Sequence, residues 1–297
     1  MLKQLLGAVL TLTVGLGYAV TPANAGTTGV SLNGDVINGT SDGFPAWYQA
    51  KAPNIFGGNT GSQPIDVRLK PCFPGPFPPN PNCGVPTQPN PSLKITFSDN
   101  FPSEFFYWRA TARIQTGGIR ADLVLATEGA FTNGNVAIDT QQMVFSRVRI
   151  KVSGLVKNAF YTITHPYGVG VSTGPMLQAD STGTINVTDN YGCGAVILPA
   201  CDFDGPDVTG TGTGTGIPGP IGPWLVWDPT DTANGGAPPP GFIGDAATAH
   251  KVIGSPTGNN LFQILGPGLG SSGSIQTNLF TVTGECFQKD QTGQCVP

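Results

Sequence analysis

Residues 104–114, EFFYWRATARI, and residues 142–152, QMVFSRVRIKV, decide the fold class. Both alternate with period two. In the first, Phe106, Trp108, Ala110, Ala112 and Ile114 share one parity, and Phe105, Tyr107, Arg109, Thr111 and Arg113 share the other. In the second, Val144, Val148, Ile150 and Val152 face one way while Arg147, Arg149 and Lys151 face the other. Successive side chains of a strand point to opposite sides of its sheet, so this pattern predicts strands with one buried face. The same logic marks 65–70, 93–97, 119–126 (Ile119, Ala121, Leu123, Leu125), 159–164 and 184–188 as strands. Val30, Leu32, Val36 and Ile37 suggest one more near the start. Trp224 to Trp227, Val252-Ile253, 261–265 and 275–282 add candidates toward the end, and only 245–248 suggests a short helix. Many short strands separated by Gly/Asn/Asp turns predict an all-β chain, an antiparallel β-sandwich of immunoglobulin-like or jelly-roll type with long Gly/Pro-rich loops.

Composition agrees. Charged residues are 11% of the 297, against about 25% in an average soluble domain. With 43 Gly and 28 Pro the chain lacks the texture of a helical bundle. A net charge of −4 argues against nucleic acid as a partner, because phosphates require clustered Lys and Arg.

Residues 1–25 read as a signal peptide: Lys3, an apolar stretch from Leu5 to Val20, Pro22, and the small-x-small site Ala23-Asn24-Ala25. Cleavage would start the chain at Gly26, and no later segment is apolar enough to be an integral membrane span. The expected location is secreted, periplasmic or extracellular. Residues 26–92 read as an N-terminal arm anchored by Trp47 and Tyr48, with nine Pro in 71–91 that prevent sheet pairing. Residues 93–297 read as the sandwich body, and a subdivision at the Gly-Thr-rich stretch 205–223 stays open.

Six cysteines fall in three close pairs, Cys72/Cys83, Cys193/Cys201 and Cys286/Cys295. In an oxidising compartment, three local disulfides are the simplest pairing.

Four constellations bear on chemistry. Asp202, Asp204 and Asp207 form an Asp-x-Asp-Gly-x-Asp cluster similar to fragments of calcium loops, which makes calcium the candidate cofactor; the competing reading is a turn capped by its own side chains. Gly170-Val171-Ser172-Thr173-Gly174 matches the nucleophile motif of α/β hydrolases, with Asp228 or Asp245 and His250 as partners, but Pro175 and the absence of βα units argue against it. His165 and His250 read as hydrogen-bonded structural residues. Trp47, Trp108, Trp224 and Trp227 are candidates for sugar stacking, and the spacing of Trp224 and Trp227 puts them on opposite sides of one strand. Arg109, Arg113, Arg147, Arg149 and Lys151 form a basic stripe suited to an acidic glycan or simply to solvent.

FYWRATA (106–112), RVRIKVSGLVKNAFYTITHPYGV (147–169), IGPWLVWD (221–228), PPPGFIGDAATAHKVIGSPTGNNLFQILGPG (238–268) and TNLFTVTG (277–284) together resemble a family of secreted bacterial β-rich proteins carrying HPYG, GPxLxWD and GSPxGxN motifs. The likeness covers roughly 104–284; the Pro-rich arm and the cysteine pairs lie outside it. It implies an exported β-rich protein and carries over no catalytic residue. The functional expectation is an exported, non-enzymatic structural or binding protein of the cell envelope or extracellular matrix, with a polysaccharide or another envelope protein as partner. A calcium-assisted carbohydrate-binding module and a serine hydrolase are the alternatives.

Overall fold

The alternation within 104–153 becomes three long neighbouring strands. A computed structural model describes residues 27–28, 36–37, 40–50, 67–73, 82–83, 90, 93–132, 136–170, 174–192, 224–255 and 257–296. Its strands in chain order are β1 (Thr27–Thr28), β2 (Val36–Ile37), β3 (Thr40–Ser41), β4 (Tyr48–Ala50), β5 (Arg68–Lys70), β6 (Glu104–Thr116), β7 (Ile119–Phe131), β8 (Gln142–Ser153), β9 (Phe160–His165), β10 (Gly168–Val169), β11 (Met176–Gln178), β12 (Ile185–Gly192), β13 (Val226–Trp227), β14 (His250–Ile253), β15 (Phe262–Leu265), β16 (Ser274–Thr277), β17 (Leu279–Thr283) and β18 (Glu285–Cys286). All pairings between these strands are antiparallel.

The large sheet runs β12-β8-β7-β6-β17-β14-β13, and a second sheet runs β10-β9-β15-β16 with β11 also on β9. A small sheet, β1-β4-β5-β18, joins the N-terminal segment to the chain's last strand, and β2-β3 form a hairpin. The protein is therefore an all-β antiparallel sandwich. β6 and β7 meet through Gly117 and Gly118, both with positive φ (55° and 83°), as a two-residue hairpin of matching twist requires.

The core lies between the two larger sheets. Ala110, Ala112, Leu123, Leu125, Val148, Ile150, Phe280 and Val282 bury one face of the large sheet. Tyr161, Ile163, Phe262 and Ile264 come from the second sheet into the same cluster. At one end Phe44, Phe101, Phe105 and Phe131 pack mostly edge to face, with centroids 4.7–6.0 Å apart. Two long-range bonds fasten the N-terminal segment to the body: the Tyr107 hydroxyl donates to Pro45 O at 2.6 Å, and Trp224 Nε1 donates to Val67 O at 3.2 Å.

Four local expectations change. The pairing of β6 with β7 slips between Phe106 and Trp108, so Tyr107 is an extra residue in a β-bulge. Phe106 consequently leaves the Trp108 face and joins Arg109 on the outer face, while Phe105 turns inward over Gly129, where a Cβ would overlap its ring. Residues 93–97 are not a strand. The Asn100 amide donates to Asn90 O and Lys94 O, its Oδ1 accepts the Asn90 N–H, and Thr96 O accepts from Asp99 and Asn100, so the backbone is tied into turns. Residues 245–248 form no helix, because the Asp245 carboxylate caps Ala247 and Thr248 and the chain then enters β14. Residues 275–282 split at Asn278 into β16 of one sheet and β17 of the other, with Leu279 N–H donating to Thr277 Oγ1 at the corner. Val36–Ile37 do form a strand; Val30 and Leu32 lie outside the described residues.

Disulfides link Cys72 to Cys83 and Cys286 to Cys295, with Cα atoms 5.3 and 5.5 Å apart. Cys193 and Cys201 lie outside the described residues. On the chain-entropy account, a loop of eleven residues contributes about 3 kcal/mol. Cys72→Ser/Cys83→Ser is expected to lose about that much in a urea unfolding curve under oxidising conditions. An unchanged midpoint would show that the clip does not constrain the unfolded chain.

Candidate functional site

The outer face of the large sheet carries an arginine-lined cleft. β6, β7 and β8 place their residues in cross-strand rows: Phe106–Glu128–Phe145, Arg109–Ala126–Arg147, Thr111–Val124–Arg149 and Arg113–Asp122–Lys151. Arginines on β6 and β8 thus rise on either side of the low residues Val124 and Ala126 of β7. Two strand spacings set the β6 and β8 residues of one row ~10 Å apart, and successive rows repeat every ~7 Å along the strands. Thr277, Leu279 and Thr281 continue the wall beyond β6, and the cleft has a volume of about 560 Å³. Four arginines against Glu104 and Glu128 make the lining cationic in a chain of net charge −4.

Its charges are unequally matched. Asp122 sits between Arg113 (2.5 Å) and Arg120 (2.8 Å); burial alone would raise its pKa, but the two guanidinium bonds hold it below its usual range. Arg147 pairs with Glu128 at 2.8 Å, donates from Nε to Asn190 Oδ1 at 2.9 Å, and lies over the Phe145 ring. Arg109 lies in the same way over Phe106, 4.8 Å from the ring centroid. Among the described residues, however, neither Arg109 nor Arg149 has an ion-pair partner. Burial lowers the pKa of Arg109, opposed by Glu128 and Glu104. Glu128 is 1% exposed, and its Oε2 touches the Arg147 guanidinium without an aligned hydrogen bond. Burial pushes its pKa up to about 7; Arg147 opposes the rise, Glu104 adds to it, and Arg149 and Arg109 oppose it.

The other candidates separate. Trp108, Trp224 and Trp227 are buried, so the expectation that one ring of the 224/227 pair faces a sugar is corrected: Val226 and Trp227 pair with β14, and both rings turn into the core. Trp47 is half-buried, with the Arg68 guanidinium 4.6 Å above its ring. Ser172 and Asp202, Asp204 and Asp207 lie outside the described residues. Cys72, Cys83 and Glu285 gather three ligand-type atoms within 4.8 Å, but the two sulfurs are bonded to each other and offer no thiolate.

Both histidines are interior. His165 Nδ1 accepts the Tyr167 N–H at 3.3 Å, which places the proton on Nε2, donating to Gly170 O at 3.0 Å. Burial pushes its pKa down to about 4, against the Gly170 bond. His250 stacks on Trp227 with centroids 4.4 Å apart. Its Nδ1 lies 2.8 Å from Lys251 O and 3.8 Å from Asp231 Oδ2. Asp228 and Asp245, the expected triad partners, instead cap the N–H groups of Thr230, Ala247 and Thr248. With His250 sealed from solvent, nothing described here assembles a hydrolytic triad.

The HPYG, WLVWD, FYWRATA and GSPTGNN segments hold one another. Ser255 Oγ and Thr257 Oγ1 both donate to Pro166 O (2.6 and 3.0 Å), locking the GSPTGNN loop onto the HPYG turn. Asn260 Oδ1 closes that loop by accepting the Ser255 N–H. Trp108 Nε1 donates to Leu225 O at 3.1 Å, joining the FYWRATA strand to the WLVWD strand. These residues are joints of the sandwich.

Sequence alternation already placed the arginines on one face, but Glu104 and Glu128 escaped it. The apolar alternation of β7 is clear to Leu125, and beyond that point both parities are small or apolar, which hides the acid. No protein family matches this chain, and neither a curated protein nor a solved structure does.

Proposed function

We propose that the protein is exported and works without catalysis, as a binding or structural component of the cell envelope or extracellular matrix. The observation that carries this reading is the division of labour in the sandwich. The histidines and three of the tryptophans serve the interior, while four guanidinium groups gather on an outer sheet face, two of them, Arg109 and Arg149, without an ion pair among the described residues. Two disulfides suit an oxidising compartment, and no helix among the described residues is long and apolar enough to cross a membrane. The likeness of the HPYG, GPWLVWD and GSPTGNN segments to secreted bacterial β-rich proteins supports the same reading, as does the leader-like pattern of residues 1–25.

Expression of the full sequence in a bacterial host, followed by fractionation and N-terminal mass analysis, tests it. The expected product lies outside the cytoplasm and begins at Gly26. A soluble cytoplasmic product retaining Met1 would overturn the assignment.

A further inference from the structure

We propose that the trough above β7 binds an acidic polysaccharide, its chain running along the strand and its anionic groups received by Arg109 and Arg149. The inference rests on the reading of the protein as a non-catalytic binding component and gives that reading a site and a ligand class.

Three features support it. First, Arg109 is half-buried against Phe106 and forms no ion pair among the described residues, Glu128 and Glu104 acting on it only from a distance; a desolvated cation gains most from a partner that arrives with negative charge. Second, the walls are regular. Arg109 and Arg113 on β6, and Arg147 and Arg149 on β8, stand two or four residues apart in continuous register beyond the bulge, so they meet charges repeated along a linear chain. Third, the floor is low and apolar at Val124, with Thr111 and Thr281 beside it, which suits the mixed polar and apolar faces of sugar rings. A single nucleic-acid strand would want exposed rings to stack its bases, and Phe106, the aromatic residue lining the trough, is buried under Arg109.

Carboxylate-bearing and sulfate-bearing chains share the chemistry that Arg recognises. Glu128 sets the pH dependence. It faces Glu104 and Arg109 from β6 and Arg147 and Arg149 from β8, so its ionised form competes with the ligand for the same guanidinium groups. Its protonation releases Arg147 to the trough.

The test uses the exported, oxidised protein in EDTA, so that calcium bridges nothing, with polygalacturonate, dextran sulfate, uncharged dextran and a single-stranded oligonucleotide as probes. The expected result is binding of one or both acidic polysaccharides, weakened at least ~10-fold by Arg109→Gln/Arg149→Gln and unchanged by Lys157→Gln, an exposed lysine away from the trough. The tighter of the two probes tells carboxylate from sulfate. Dextran sulfate should bind more tightly at pH 5.5 than at pH 8, and Glu128→Gln should remove the difference. Equal losses in the Lys157 variant would reduce the effect to bulk charge and overturn the site. Tighter binding of the oligonucleotide, or no binding of either acidic polysaccharide, would overturn the ligand class. Those failures leave the exported location standing, because that is read separately by fractionation.

Discussion

Trp108→Ala is expected to cost about 4 kcal/mol, the range for deleting a large buried aromatic side chain. Trp108 has no exposed surface, and its ring lies 5.5 Å from that of Trp224 and 5.9 Å from that of Tyr167. Its Nε1 donates to Leu225 O, and the backbone of Leu225 also engages the Tyr167 hydroxyl. One substitution therefore opens a cavity where β6, the HPYG turn and the segment before β13 meet, and it removes a bond that spans 117 residues of sequence. Trp108→Phe separates the two contributions: the smaller loss, about 2 kcal/mol, combines the missing hydrogen bond with the reduced ring area. Both are read from urea unfolding followed by far-ultraviolet circular dichroism. A loss of about 1 kcal/mol or less for the alanine variant would show that the three segments are not joined through this ring.

Glu128→Gln is expected to stabilise the protein at pH 8, by up to about 3 kcal/mol, although it removes half of an ion pair. The folded pKa of Glu128, about 7, lies above its ordinary 4.5, so its contribution to stability is full below pH 4.5 and is lost as pH rises through 7. His165 acts in the opposite sense. Its folded pKa, about 4, lies below its ordinary 6.5, so its contribution is full above pH 6.5 and is lost as pH falls through 4. Between about pH 4.5 and 6.5 the two slopes oppose each other, and the parent protein should show little change from this pair. The glutamine variant unmasks His165: its stability should decline by roughly 3 kcal/mol from pH 6.5 to pH 4. Parity of the two proteins at pH 8, or a less stable variant, would mean that the Arg147 contact outweighs the burial of Glu128.

The sandwich was legible wherever one face of a strand is apolar and the other polar, as in 109–116, 119–125 and 144–152. It was illegible where that contrast vanishes. Phe105, Phe106, Tyr107 and Trp108 are all aromatic, so nothing in their order announces the bulge that reverses their faces. Residues 275–282 read as one run of strand-forming residues around Asn278, and only the pairing partners reveal that the chain changes sheets there. In 93–97 the alternation is genuine but is overruled by a side chain, Asn100, that satisfies the backbone better than a neighbouring strand. The arginine faces of the trough could be read from β6 and β8 separately. Their opposition across Ala126 and Val124 depends on register, which alternation does not encode.

The position of β17 fixes when the molecule can finish folding. β6 forms its second edge with residues 280–283, about 170 positions later in the chain. Until those residues dock, the middle of the large sheet is an open edge with apolar flanks, prone to pair with the wrong strand. Truncation before Leu279 is therefore expected to leave an aggregation-prone half-sheet, not a smaller stable domain.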